Sequence, residues 1–230
     1  MIPYRDENPT RTFPLVTVLL IAANVAVFLY QVTLPPREQV AFIYSYALVP
    51  AFLVGKAHAL VGDGLRLEPF QPVWLTVFTS MFMHGGFLHI AGNMLYLWIF
   101  GNNIEEALGR ARFLFFYLFC GAMAAVSQLL FSYGAKVPML GASGAVAGVL
   151  GAYFVLFPAA RIRTLVFIFF FITVVSLPAS LVLTIWFLYQ ILGSLNPQSG
   201  IATFAHIGGF VTGYLWMRTS GRRPKRRYAW

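Results

Sequence analysis

Residues 138–158 read PMLGASGAVAGVLGAYFVLFP, an uncharged run of small and branched apolar side chains that opens on a glycine-flanked serine, Ser143, and lies between Lys136 and Arg161. About 20 apolar residues cross a bilayer as a helix, and an unpaired charge at its centre costs roughly 2.5–3.5 kcal/mol, so charges mark the ends of spans. Working outward from this run, further uncharged gaps lie between Arg112 and Lys136, Arg11 and Arg37, Glu68 and Glu105, and Arg163 and Arg218. The last is long enough for two helices, divided by Pro178 and the turn-forming run from Gly193 to Gly200. The expected helices are 14–33, 86–102, 112–132, 142–157, 177–194 and 202–219. The fold class is therefore all-α, a polytopic membrane protein with six transmembrane helices.

Composition excludes the main alternative. Of 230 residues, 59% are hydrophobic and only 10% are charged, and the mean hydropathy is +0.75, which is incompatible with a water-soluble globule of this size. The single cysteine, Cys120, excludes an internal disulfide framework and any Cys-rich zinc site.

The net charge of +9 specifies orientation rather than nucleic-acid binding. With six spans, Arg5, Arg11, Arg110, Arg112, Arg161, Arg163, Arg218 and the basic tail share one side, whereas Arg37, Lys56, Arg66 and Lys136 lie opposite. The positive-inside rule then puts both termini in the cytoplasm. Residues 1–13 form a cytoplasmic N-terminal segment, 14–219 a six-helix membrane domain with a long first loop at 34–72, and 220–230 a basic cytoplasmic tail. Asp6 and Glu7 flank the first helix and no small-x-small cleavage site follows it, so it is read as retained rather than as a signal peptide. The stretch between Glu38 and Lys56 is expected as an interfacial excursion, and 164–176 as a partly embedded connector.

Polar residues within apolar helices are functional candidates, and here they are Asn24, His84, His89, Asn93, Gln128, Ser143, Gln190 and His206. No Asp or Glu follows Glu106. This removes aspartyl-protease chemistry and carboxylate proton relays, and a His-Glu-x-x-His zinc signature is absent too. Ser143 opens a helix, where free N–H groups and the positive dipole end favour a developing oxyanion, while Gly141 and Gly144 leave room for a substrate backbone. Taken alone, such a motif reads more readily as helix packing than as chemistry. His206 changes the balance, because it begins the last helix at the same end of the membrane. Gly209 and Gly213 form one small-residue face, and Gly144, Ala147, Gly148 and Gly151 another, so these helices can pack backbone to backbone and bring base to nucleophile. His89 and Asn93, four residues apart, share a helix face on that side and supply two hydrogen-bond donors for an oxyanion. A zinc site from His84, His89 and His206 competes with this reading but has no acidic residue to orient the imidazoles.

Four ordered motifs together carry a resemblance: His84-Gly85-Gly86 with His89 and Asn93; Gly101, Glu105, Gly109, Tyr117 and Gly121; Gly141-Ala142-Ser143-Gly144-Ala145; and Ala205-His206-Ile207-Gly208-Gly209 with Gly213. From about Thr79 to Gly213 the chain resembles the rhomboid family of intramembrane serine proteases. The resemblance implies a six-transmembrane-helix rhomboid-like bundle and a catalytic dyad, with Ser143 as nucleophile and His206 as general base. His89, Asn93 and the Ser143 N–H would correspond to the oxyanion site, with His84, Gly141, Gly144 and Gly209 in support. It implies no cofactor and no metal, single-pass transmembrane substrates in a lipid bilayer entering between helices two and five, and no nucleic acid. A prokaryotic inner membrane is the expected location, with the site open to the non-cytoplasmic side. Small residues at the cleaved bond and helix breakers nearby are the expected substrate features. Two positions depart from the family pattern: Thr76 stands where an arginine follows the loop tryptophan, and Ala147 where some members carry a tyrosine under the histidine. A client-binding pseudoprotease and a channel or transporter are the rival readings.

Overall fold

The computed structural model describes residues 2–62, 64–168, 171–195 and 202–220. The part of the expected turn at 196–200 and the tail at 221–230 therefore lie outside the described residues. Six main helices follow the apolar runs: α1 (Leu15–Thr33), α5 (Phe87–Leu108), α6 (Arg110–Phe131), α7 (Ser143–Leu156), α8 (Ala179–Ser194) and α9 (Thr203–Thr219). The first loop holds α2 (Pro36–Tyr46) and α3 (Pro50–Leu53), and α4 (Thr76–Thr79) follows it ahead of α5.

By length and composition, α1 and α6 are sufficient to cross a membrane alone, and α5 joins them as a third if the segment Val73–Phe82, bent from it by 83°, counts with it. The helices α7 and α8 are apolar but have only 14 and 16 residues. At 1.5 Å per residue they reach roughly 21 and 24 Å, short of a hydrocarbon layer of about 30 Å.

Helix α5 extends six residues beyond its expected end because its acidic residues do not mark an aqueous boundary. Glu105 is buried and accepts hydrogen bonds from the Val16 amide (3.0 Å), the Thr17 amide (2.8 Å) and the Thr17 hydroxyl (2.8 Å). Its carboxylate thereby caps α1 from outside, meeting the free N–H groups and positive dipole end of that helix. Gly109, at φ +80°, ends α5 and admits the turn into α6.

The chain is mostly helical, but the all-α expectation needs correction: two small sheets are present among the described residues. One pairs β2 (Leu60–Gly62) with β3 (Leu65–Leu67). The other has the order β1-β4-β5, from β1 (Ile2–Asp6), β4 (Arg161–Ile168) and β5 (Phe171–Pro178), all antiparallel, with Ile2 opposite Leu165 and Arg161 opposite Pro178. The expected connector at 164–176 is thus a hairpin joined by the N-terminal segment. Its reason is in the alternation of Arg161-Ile162-Arg163-Thr164, where Ile162 and Thr164 are buried and both arginines are exposed. The Asp6 carboxylate, at the end of β1, accepts from Asn103 Nδ2 (2.7 Å) and the Tyr153 hydroxyl (2.9 Å), tying the sheet to α5 and α7. Burial pushes this carboxyl up to about 6 despite the hydrogen bonds to its ionised form.

The core centres on α7. Ala145, Ala147, Val149, Leu150, Ala152 and Tyr153 are buried against Leu97 and Phe100 of α5, Phe113, Phe116 and Tyr117 of α6, and Leu183 of α8. Against α9 the packing is backbone to backbone. A Cβ on Gly209 would run into the Gly144 carbonyl, and one on Gly213 into the Gly148 carbonyl.

Candidate active site

This glycine interface decides where the first residues of α7 and α9 meet. Ser143 starts α7, and its hydroxyl lies 2.8 Å from His206 Nε2 in the first turn of α9. Two contacts from α6 hold that end of α9: the Ser127 hydroxyl donates to the Phe204 carbonyl (2.9 Å), and Gln128 Oε1 accepts from the Ala205 amide (3.1 Å). The other ring nitrogen of His206, Nδ1, lies 2.7 Å from Gln190 Oε1 on α8. The Trp186 ring, one turn earlier on α8, stands beside the imidazole with centroids 6.2 Å apart. Ala147, the position that departs from the family pattern, is fully buried under α9, so α8 supplies the neighbours of the histidine.

Ser143 lies among donors. In α7 the Val146 amide pairs with the Ala142 carbonyl (2.9 Å), so the amides ahead of it have no carbonyl in their own helix. Gly141 holds φ +131°, a conformation that side chains disfavour, and a Cβ there would stand 2.8 Å from His89 Nε2 and 3.6 Å from Ser143 Oγ. The space occupied by no side chain at Gly141 is therefore bordered by His89 and Ser143 together. His89 Nδ1 accepts from the Gly85 amide (3.3 Å), which leaves the proton on Nε2, directed at that space. Asn93, one turn along α5, is buried with its Nδ2 donor unbonded. A buried amide donor without a partner is a group waiting for an acceptor.

His84 is fully buried with its ring edge-on to His89, centroids 5.1 Å apart, and its carbonyl accepts from Gln31 Nε2 (2.8 Å). It backs His89. Among the described residues no group of three His, Cys, Asp or Glu is placed to hold a metal ion.

The first loop, without an assigned role from sequence, anchors the strand of chain leading to Ser143. Leu48 and Met139 exchange backbone hydrogen bonds (3.0 and 2.8 Å), Ala51 donates to the Ala135 carbonyl (2.9 Å), and Gly141 donates to the Ser80 carbonyl (2.9 Å). Thr76, the other departure, is buried and its hydroxyl donates to Val73 O at 2.7 Å, closing a local turn. No residue spacing announces these backbone pairings. Gln190 carries a signal, as a lone amide in an otherwise apolar helix, but its partner is set by the packing of α8 against α9.

A groove of about 520 Å³ opens between α5 and α8, lined in part by Trp186 and Gln190, the two α8 residues that stand against His206. Tyr96 forms one wall and Val182, Ile185, Trp186, Tyr189 and Gln190 the other, while Pro3 and Thr164 of the sheet close one end.

Comparison with known proteins shows the family of the chain. A family model described as Rhomboid domain matches residues 71–223. The chain is 37% identical over 97 residues to Rhomboid protein 1, mitochondrial, of Saccharomyces cerevisiae, covering 40% of this chain and 28% of that protein. It is 39% identical over 82 residues to Rhomboid protease GluP of Bacillus subtilis, covering 36% of this chain and 16% of that protein. To RHOMBOID-like protein 1 of Arabidopsis thaliana it is 26% identical over 217 residues, 88% of this chain and 52% of the relative. The chain thus spans about half or less of the length of these relatives. Since the matched region contains α5 through α9, and with them Ser143 and His206, the chain belongs to the rhomboid family.

Proposed function

We propose that this chain is an intramembrane serine endopeptidase with a Ser143 and His206 dyad, cutting single-pass membrane proteins in or near their transmembrane segments. The observation that carries the reading is the 2.8 Å approach of His206 Nε2 to Ser143 Oγ at a helix start bordered by the His89 N–H. Nε2 takes the hydroxyl proton as Oγ adds to the scissile carbonyl carbon. The oxygen that becomes negative turns toward the Ser143 amide, His89 and Asn93. When the tetrahedral species collapses, the carbon–nitrogen bond breaks and His206 returns its proton to the departing amine. Water then repeats the sequence on the acyl-enzyme, with His206 again the base.

Water and substrate reach the site by different routes. The polar groups gather at helix ends rather than at midspan, so an aqueous indentation from one membrane face is sufficient. If the Leu156 end of α7 lies at the cytoplasmic boundary, its roughly 21 Å leaves Ser143 about 9 Å inside a 30 Å hydrocarbon layer. The groove between α5 and α8 supports lateral entry of a substrate helix, which must unwind because a helical peptide bond is shielded by its own turn. Small residues at the cleaved bond and helix breakers beside it favour that step. In this reading six spans place both termini in the cytoplasm and the dyad toward the opposite face.

The test is direct: incubate the purified protein with single-pass substrates and a fluorophosphonate, beside Ser143→Ala. Cleavage and labelling by the wild type, with neither in the variant, support the proposal. An inert Ser143 in a folded wild-type protein would instead favour a client-binding role.

A further inference from the structure

We propose that Gln190 of α8 is the positioning residue for His206, completing a serine–histidine–glutamine chain in which a neutral amide stands where soluble serine proteases carry a carboxylate. The inference rests on the dyad reading and names how that dyad is oriented.

Three groups lie in line: Ser143 Oγ, 2.8 Å from His206 Nε2, and Gln190 Oε1, 2.7 Å from His206 Nδ1. A neutral imidazole has one donor and one acceptor nitrogen. An amide oxygen only accepts, so its partner Nδ1 must hold the proton, and Nε2 then presents its lone pair to the serine hydroxyl. That is the tautomer a general base requires. The opposite tautomer would donate from Nε2 to Ser143 and leave no base at all. Gln190 is buried, with 6% of its surface exposed, so water does not compete for Nδ1.

The choice of an amide follows from the surroundings. An ionised carboxylate within the apolar layer is costly, and no Asp or Glu occurs in α7, α8 or α9. The titratable group that acts electrostatically on His206 is His89 from α5, another imidazole. A neutral acceptor orients the ring without introducing a charge. Thiol proteases with a Cys-His-Asn arrangement use a side-chain amide beside the histidine in a comparable way.

The position on α8 has a consequence. The same helix forms a wall of the groove through Ile185, Trp186 and Tyr189. Gln190 therefore reaches His206 only while α8 is seated against α9.

The experiment uses the full-length protein in liposomes with Gln190→Leu and Gln190→Glu. For each, the rate of fluorophosphonate labelling at Ser143 is followed from pH 5 to 9, and kcat and KM are measured on a single-pass substrate, together with thermal unfolding. Gln190→Leu keeps the approximate volume but removes the acceptor, and is expected to slow labelling and kcat by about 10- to 100-fold with KM within about twofold, since general-base assistance contributes 10²–10⁴. Gln190→Glu restores the acceptor, recovers most of the labelling rate, and moves the midpoint of the pH profile upward because its charge favours the imidazolium. Wild-type rates in Gln190→Leu would overturn the proposal. So would equal slowing in both variants accompanied by the same drop in unfolding temperature, which is the signature of a packing residue. Failure of the wild type to label at Ser143, with unfolding intact, would bring down the dyad itself and this proposal with it, a result separable from both.

Discussion

Gly213 of α9 lies against the carbonyl oxygen of Gly148 in α7, with no room for a Cβ between the two backbones. One helical turn nearer the helix starts, Gly209 meets Gly144 in the same way. Ser143 and His206 stand at the ends of these two contacts, so their 2.8 Å separation depends on helix spacing rather than on side-chain reach alone. Membrane helices gain little from burying apolar surface against each other, since lipid offers the same environment. Close backbone approach supplies dispersion contacts and geometric definition instead.

Gly213→Val tests that dependence. The branched side chain forces α9 away from Gly148, and overpacking of this kind costs roughly 1–3 kcal/mol. Cleavage is expected to fall by about 10²-fold, because a displacement near 1 Å at reacting groups has that effect. Unfolding temperature and kcat measured on one preparation check both effects, and unchanged kcat would show that spacing along α7 and α9 does not set the dyad.

His89→Ala and Asn93→Ala remove donors rather than the base. If they face the developing oxyanion, each lowers kcat by about 10²–10³, or roughly 2.7–4 kcal/mol, while labelling of Ser143 by a reactive phosphonate is reduced less. Gly141→Ala is expected to mimic the His89 change, because its methyl would stand 2.8 Å from His89 Nε2 in a strained backbone conformation. A rise in KM alone for these variants would assign them to binding.

Glu105→Gln probes the capped start of α1. A carboxylate accepting three hydrogen bonds becomes an amide with a single acceptor oxygen, and the loss of a charge-assisted cap costs about 1–3 kcal/mol. Thermal unfolding should show the deficit, with kcat per folded molecule retained, because Glu105 lies at the far end of α5 from His89. An equal loss of kcat at full stability would contradict a purely structural role.

Asp6 predicts a pH effect. Its carboxyl, at about 6 in the folded protein, lies above the value of about 3.9 for an exposed aspartate. The folded state therefore holds this proton more tightly than the unfolded chain. The resulting stability is fully present below about pH 4 and is lost as pH rises through about 6. Relative to Asp6→Asn, which stays neutral, wild type should lose thermal stability across that window and then run parallel above about pH 7. A difference independent of pH would exclude Asp6 as the cause.

The amino-acid sequence by itself determined that apolar helices dominate, where most of them begin and end, and which few polar residues interrupt them. Local composition is sufficient for this, because uncharged length and helix-ending residues act within a few turns. It also singled out the small-residue faces of α7 and α9, since spacing of four on a helix defines a face. Sequence did not reveal that Glu105 lies buried on the N–H groups of α1, which is why the expected end of α5 fell at residue 102. Nor did it reveal the sheet in which β1 pairs with β4, because strand partners as far apart as Ile2 and Leu165 leave no local period. The approach of Ser143 to His206, the seating of Gln190 on Nδ1 and the backbone pairs between the first loop and residues 135–141 were decided by tertiary structure. Each joins groups from separate elements, and only the packed arrangement of helices brings their atoms within hydrogen-bond reach.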